Sequence, residues 1–321
     1  MMNKPEMLKK RSELLRELRA FFYARDVIEV DTPILSHAAT PDVHLASLQT
    51  QVLRPGYAEG QTYYLHTSPE YPMKRLLCEG SGDIFYLGKV FRDGDESPRH
   101  QVEFSMLEWY RLGFDMSQLI DEVIALIQKV IPIYTQVEIL SYSDAYQKYA
   151  QINDVFQATV EDFKSCLKTY QVAEIVGLND SDIDLWQQLV LTEVIEPQLG
   201  QNKISVITHF PAKDAALAKL SSDNPNTAER FEVFINGMEL ANGYDELADS
   251  KIYRARFEES LEQRKSLNLP IVPLDENLLN TLEKQLLPAC SGVALGVDRL
   301  FMLQQNIHIV NNAVTFATAD S

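Results

Sequence analysis

Cysteine is scarce. The 321 residues hold three, Cys78, Cys166 and Cys290. They lie far apart and form no CxxC pair, which excludes a disulfide framework and points to a cytoplasmic protein. Long apolar runs are missing too. None reaches the ~18 residues that a membrane-crossing helix requires. The opening stretch, MMNKPEMLKKRSELLRELRAFF, has no apolar segment followed by a small-residue cleavage site, so it is no secretory signal. Repeats, low-complexity tracts and Gly/Ser linkers are absent, and 13 glycines with 14 prolines rule out collagen-like chains. No GxGxxG or P-loop appears, which argues against those two nucleotide-binding folds. Positive charge is also short. Against 46 Asp and Glu stand 29 Lys and Arg, for a net charge of −17. Broad nucleic-acid binding relies on cationic neutralisation of phosphates, so the balance disfavours a nucleic-acid partner, though it leaves room for a local basic site.

What is present is a large core. Hydrophobic residues make up 45% of the chain, and length alone suggests about two domains. The N-terminal segment reads as an amphipathic helix to about Arg25, with Leu8, Leu14, Leu15, Leu18, Phe21 and Phe22 mainly on one stripe. VIEVDTPIL alternates as a strand stopped by Pro33. TYYLHTS, DIFYLGKVFR, EFSMLEWYRL and ISVITHF read as strands. EYPMKRLLCEG has a helical period ended by Gly80, and MSQLIDEVIALIQKVI is an amphipathic helix. Residues 141–200 are mainly helical and more polar. YRARFEESLEQRKSL and ENLLNTLEKQLLP are further helices, and SGVALGVD is a short strand before a helix starting near Arg299. Strands joined by hairpins and helices in blocks predict an α+β fold with a mainly antiparallel sheet.

One hairpin raises a chemical question. In FEVFINGMELANGYDEL, Asn236-Gly237 separates two alternating runs, a strong hairpin signal. A two-residue turn sets Ile235 opposite Met238, Phe234 opposite Glu239 and Glu232 opposite Ala241. Glu232 and Glu239 then share a face as diagonal neighbours roughly 7–8 Å apart. Two carboxylates on one face repel, more so when buried. A Mg²⁺ ion held by both, together with substrate phosphates, would resolve the conflict. Two solvated surface glutamates are the plainer alternative, so the hairpin needs independent support. Glu246 falls beyond the strand, where the seven-residue spacing gives it no fixed position.

Two other segments bear on it. In FRDGDESPRHQVEFSMLEWYRL, Arg92 closes one strand, and Phe104, Met106, Glu108 and Tyr110 share one face of the next. A carboxylate and a tyrosine on an otherwise apolar face suggest a lined pocket; a core ion pair for Glu108 and ordinary packing for Phe104 are the alternatives. In CSGVALGVDRLFML, Gly292 and Gly296 bracket a short strand, as glycines do where a ligand or another backbone comes close. Arg299 at a helix start strengthens an anion site.

These segments resemble a known family. FR…RHxxEFxMLEWY is similar to motif 2 of the class II aminoacyl-tRNA synthetases, GVALGVDRL to motif 3, and VIEVDTP to motif 1, which forms a dimer interface. ELANGYDEL, TSPEYPMKRLL and GVDRLFML narrow the likeness to the lysyl-tRNA synthetase branch. It spans about residues 8–320. Motifs 2 and 3 in this order are highly specific.

The resemblance implies roles position by position. Arg92 would hold the α-phosphate of ATP and the substrate carboxylate. Phe104 would stack on adenine opposite Arg299, which reaches the γ-phosphate. Arg99, His100 and Gly296 would complete the ATP site; an exposed loop histidine is the other reading of His100. Glu232 and Glu239 would bind Mg²⁺. Ser68 and Glu70 would take the substrate amino group. Glu108, Tyr110 and Glu246 would receive a side-chain ammonium. Asn242 would contact the substrate carboxylate or phosphate, which requires a bulge at Asn242-Gly243 because strict alternation points it away from Glu239. The implied chemistry is in-line attack of a carboxylate on the α-phosphorus, with Arg92 and Arg299 as catalytic cations.

Two departures narrow the likeness further. Motif 2 usually reads FRNE, but here Gly94 replaces the glutamate. Lysyl-tRNA synthetases carry glycine at the position of Ala294, and a methyl there should reshape the amino-acid pocket, worth about 1–3 kcal/mol of discrimination. Motif 1 ends at residue 33, which leaves no room for an anticodon-binding domain. The expectation is one catalytic domain over 1–321 with a helical insertion at about 141–200. A stand-alone acidic core of this kind resembles the bacterial elongation factor P lysyltransferases. That family implies activation of (R)-β-lysine or lysine, transfer to a lysine ε-amino group on elongation factor P, and a homodimer. Lys and Arg around 74–75 or 251–256 are candidate docking cations for that acidic acceptor. Three alternatives remain at this point: a truncated tRNA-charging enzyme, an amide-forming enzyme with a small acceptor, and a non-catalytic paralogue.

Overall fold

Asn3 starts the first helix, its side chain accepting from the Glu6 amide at 3.0 Å, the bond by which an N-cap satisfies a free amide. The helix runs over Lys4–Tyr23 and buries Leu14, Leu18, Phe21 and Phe22. Phe22 stacks on Phe85 at 4.7 Å and meets Trp109 edge-on at 5.1 Å, so the helix covers the sheet that carries motif 2.

The computed structural model describes residues 3–53, 55–56, 59–173 and 179–318. The chain divides into two compact units, Met1–Leu119 with Asp245–Ser321, and Ile120–Tyr244. In chain order the strands begin with β1 (Ile28–Glu29), β2 (Leu35–Ser36), β3 (Gln49–Val52), β4 (Gln61–Leu65), β5 (Ile84–Phe91) and β6 (Glu103–Leu112). They continue with β7 (Val137–Ser141), β8 (Ile204–Thr208), β9 (Arg230–Ile235), β10 (Met238–Asp245) and β11 (Cys290–Gly296).

In the first unit β1 pairs parallel with β5, while β5–β6 and β6–β11 are antiparallel. β2 and β3 flank β4 in a small antiparallel sheet. VIEVDTPIL is not one strand. It breaks into β1 and β2, because Pro33 has no N–H to continue a ladder. The helix Glu70–Cys78 ends ahead of Gly80, whose φ of +86° closes it. Asp249 and Asp275 cap the helices Ser250–Ser266 and Glu276–Lys284. The motif 3 helix covers Val297–Gln305, so Arg299 is its third residue.

In the second unit β8, β9 and β10 pair antiparallel, and β7 joins β8 in parallel. Short helices lie between β7 and β8. They bury Tyr146, Phe163, Val190 and Ile195 in one cluster with Phe234, and Tyr146 donates to the Gln187 carbonyl at 2.7 Å. Both units combine helices with mostly antiparallel strands, the α+β class that the sequence pattern predicts.

Candidate active site

In the first unit, strand register gathers a carboxylate and a tyrosine on one buried face. Tyr86, Glu108 and Ala294 stand in one cross-strand row, and Ile84, Tyr110 and Gly292 in the row two residues on. The period of two therefore puts Glu108 and Tyr110 on one face. Tyr110 donates to Glu108 Oε1 at 2.8 Å, and Ser68 donates to Oε2 at 2.8 Å. Ser68 Oγ in turn accepts from the Glu70 amide at 2.9 Å. Burial and the nearby Glu70 carboxylate push Glu108 up to about 7, against the pull of those two hydrogen bonds and of Lys74.

Lys74 organises the other side. Its ammonium lies 2.6 Å from Glu70 and 2.6 Å from Glu246, and donates to the Tyr253 hydroxyl at 2.9 Å. Burial works against the charge, but Glu246 and Glu70 outweigh it and hold Lys74 protonated. Gly292 makes this packing possible. A Cβ there would stand 2.3 Å from the Tyr110 ring and 2.7 Å from a Glu246 carboxylate oxygen. Ser68, Glu70, Glu108, Tyr110, Glu246 and Ala294 are thus brought together.

The expected docking cation Lys74 is a correction: it is fully buried and doubly paired, so it offers no charge to a partner. Arg254, in the second candidate patch, is bound to Glu276 and Glu283.

The expected nucleotide residues also lie in the first unit. The Arg92 guanidinium sits over the Phe104 ring, 5.1 Å from its centroid. Arg299 donates to His100 Nε2 in a short hydrogen bond, and His100 Nδ1 bonds Ser97 Oγ at 2.6 Å. That arrangement assigns the proton to Nδ1. Arg11 pairs with Asp298 at 2.5 Å, and Asp298 accepts from the Ser105 amide at 2.7 Å. These bonds pin the start of the Arg299 helix to the motif 2 strand. The Arg99 side chain is exposed. The three atoms nearest to a Cβ on Gly296 would all belong to Arg299, at ordinary contact distance. Gly94 has φ +79°, a left-handed position that a glutamate would strain.

The second unit holds the two hairpin glutamates. Met238 pairs with Ile235 and Glu239 with Phe234, as the turn predicts. Past Glu239 the register shifts, so that Ala241 pairs with Val233 and Asn242 with Glu232. The pairing of Glu232 with Ala241 is therefore corrected, and the bulge lies at Leu240 rather than at Asn242-Gly243. The extra residue turns Asn242 to the face of Glu232 and Glu239. Asn242 Nδ2 donates to Glu232 at 3.3 Å, while the buried Asn242 Oδ1 has no hydrogen-bond partner. Arg230 pairs with Glu232, bonds the Asp214 carbonyl at 2.6 Å and packs on Phe210. Burial raises the Glu232 pKa, with Arg230 opposing and Glu239 reinforcing the shift. Two carboxylates and an orphaned amide oxygen on one face are hard oxygen donors that suit Mg²⁺.

The family described as tRNA synthetases class II (D, K and N) matches residues 2–320. A protein of Photorhabdus laumondii named Elongation factor P--(R)-beta-lysine ligase is 43% identical over 97% of this chain and 94% of its own length. The chain belongs to the class II tRNA synthetases, in the branch of these ligases. Ligases of the same name from Proteus mirabilis and Pectobacterium carotovorum are 42% and 43% identical, over 96% and 97% of this chain and 94% of each relative.

Sequence reasoning passed over several residues of this family site. Tyr253 and Arg230 carried no motif signal, and Asp298 stood in the motif 3 stretch GVDRL without a role assigned to it. Lys74 did carry one: it stands four residues after Glu70 on a helical period, the spacing at which side chains meet.

Proposed function

We propose that this protein activates (R)-β-lysine, or lysine, with ATP and transfers the acyl group to the ε-amino group of a lysine on elongation factor P. The observation that carries the reading is the buried Glu108 carboxylate, oriented by hydrogen bonds from Ser68 and Tyr110. A pocket of this kind suits the end of a lysine side chain, and the ligases to which the chain is similar are named for (R)-β-lysine and elongation factor P.

In this reading the substrate carboxylate attacks the α-phosphorus of ATP. The acyl–phosphate bond forms and the bond to the pyrophosphate oxygen breaks. Arg92 and Arg299 balance the charge that develops on the phosphates, with Arg99, His100 and Gly296 beside them and Phe104 under adenine. Fixed cations of this sort act by preorganisation. Glu232 and Glu239 would hold Mg²⁺, which supplies further charge neutralisation when bound, and Asn242 presents its free oxygen to the same group. Glu70 and Ser68 orient the reacting amino acid by its amine. Ala294, in the cross-strand row of Glu108, narrows the pocket where a glycine would leave room, and so favours the shifted amine of β-lysine. No protein nucleophile is needed. The enzyme works as a cytoplasmic homodimer, and tRNA is not its acceptor.

The test is pyrophosphate exchange into ATP. Exchange should depend on the amino acid and run faster with (R)-β-lysine than with α-lysine. No exchange with either would contradict the assignment.

A further inference from the structure

The helix Glu70–Cys78 carries two adjacent cations of opposite kind. Lys74 is buried and doubly paired. Arg75 stands about 100° further around the helix axis and is half-buried. Among the described residues it forms no hydrogen bond or ion pair. Of its three nitrogens only Nε is sealed from solvent, so the two Nη atoms keep their N–H groups free and open to solvent. A guanidinium half withdrawn from water and without a counter-charge is a ready site for an anion. Shielding strengthens its field, and its forked N–H groups match carboxylate and phosphate oxygens.

Arg75 lines a cavity of about 550 Å³ in the first unit. Pairing decides the charge of this cavity. Glu70 and Glu276 also line it, but Glu70 is held by Lys74 at 2.6 Å and Glu276 by Arg254 at 3.0 Å. Asp275, the remaining acid, accepts from the Leu278 amide at 2.9 Å as the cap of the helix Glu276–Lys284. Arg75 is the only lysine or arginine among the described lining residues. Ser36, Thr40 and Ser47 add hydroxyls to the wall. The expected ATP cations Arg92 and Arg299 do not line this space, whereas Ser68 and Glu70 do. The cavity therefore adjoins the amine end of the amino-acid pocket and stands apart from the nucleotide residues.

We propose that this cavity is an anion subsite, in which the Arg75 Nη atoms bind a carboxylate or phosphate group beside the amino-acid pocket. One chemistry serves two sources. The group is either a free anion or an acidic side chain of the protein acceptor, entering next to the lysine that is modified. Only the second source rests on the function argued above. In that case Arg75 fixes where the acceptor docks and takes no part in adenylate formation.

Phenylglyoxal labels accessible guanidinium groups, and peptide masses report Arg75 by itself. In the unmutated protein Arg75 should react, and inorganic phosphate, acetate or elongation factor P should slow its labelling at least about fivefold. Slowing by phosphate or acetate marks a free-anion site; slowing by elongation factor P alone marks the protein source. In the latter case Arg75→Gln should raise the half-saturating concentration of elongation factor P at least about fivefold. Maximal transfer and pyrophosphate exchange should stay within about twofold of the unmutated protein. An Arg75 that does not react, or that reacts equally with and without every probe, overturns the subsite. Slowing by elongation factor P alone with an unchanged half-saturating concentration overturns it as well, because the acceptor would then merely cover the cavity. So does a loss of exchange equal to the loss of transfer in Arg75→Gln, which would put Arg75 in the amino-acid pocket. Absence of exchange by the unmutated protein would instead sink the functional reading, while labelling slowed by phosphate or acetate would still support the subsite.

Discussion

Lys74 shows how much a single buried cation can organise. Glu70, Glu246 and the Tyr253 hydroxyl all converge on it. Replacing it by methionine preserves volume but strands Glu246 without a counter-charge. Breaking a buried pair in this way costs about 3–5 kcal/mol, so Lys74→Met should lower the thermal midpoint and abolish lysine-dependent exchange; an unchanged midpoint would contradict the pairing. Glu108 gives a pH prediction. Its carboxyl titrates near 7 in the free protein because it is buried near Glu70. An ammonium binds the ionised forms of Glu108 and of Glu246, which burial also raises against the pull of Lys74, so affinity for lysine is full only where both are ionised. At lower pH it falls about tenfold per unit for each group that protonates. Exchange measured from acid to alkaline pH should show KM rising as pH drops through 7, and Glu108→Gln should make that dependence shallower while raising KM throughout. Glu108 was legible, since a charged residue on an apolar strand face is conspicuous; Glu70 and Glu246 came only with the family resemblance. The burial of Lys74 was not, because lysine is ordinarily exposed and nothing in its neighbours reveals how far the helix sinks.

At the scale of elements, the β9–β10 ribbon explains why the carboxylates can share a face. The Asn236-Gly237 turn fixed the first pairs correctly, and with them the common side of Glu232 and Glu239. The bulge at Leu240 was misplaced because no residue type announces where an antiparallel ladder takes an extra residue; only the need to turn Asn242 inward hinted at one. Glu239 is half-buried at the open part of this face. Glu239→Ala should therefore leave circular dichroism and thermal stability nearly unchanged, yet reduce exchange by at least about a hundredfold. Normal exchange would refute the metal role. The break between β1 and β2 was half-legible. Pro33 marked an end, but the restart at Leu35 depends on pairing with β4, a contact distant in sequence.

For the whole molecule, composition and charge set bounds that the motifs then filled. A net charge of −17 makes a polyphosphate strand a poor partner over most of the surface. The α+β class followed from alternating and helical periods, whereas the division into two units has no linker to announce it. The segment around motif 1 leaves Ile28 54%, Ile34 41% and Leu35 42% exposed. Apolar exposure concentrated in one stretch marks an association surface, so light scattering at micromolar concentration should give a dimer; a monomer would contradict the motif 1 assignment. The most direct test of the whole account offers the protein Mg-ATP with (R)-β-lysine and, in parallel, elongation factor P and lysine tRNA, and reads the acceptor masses. Elongation factor P should gain one lysyl unit and the tRNA none; lysine found on the tRNA alone would overturn the assignment.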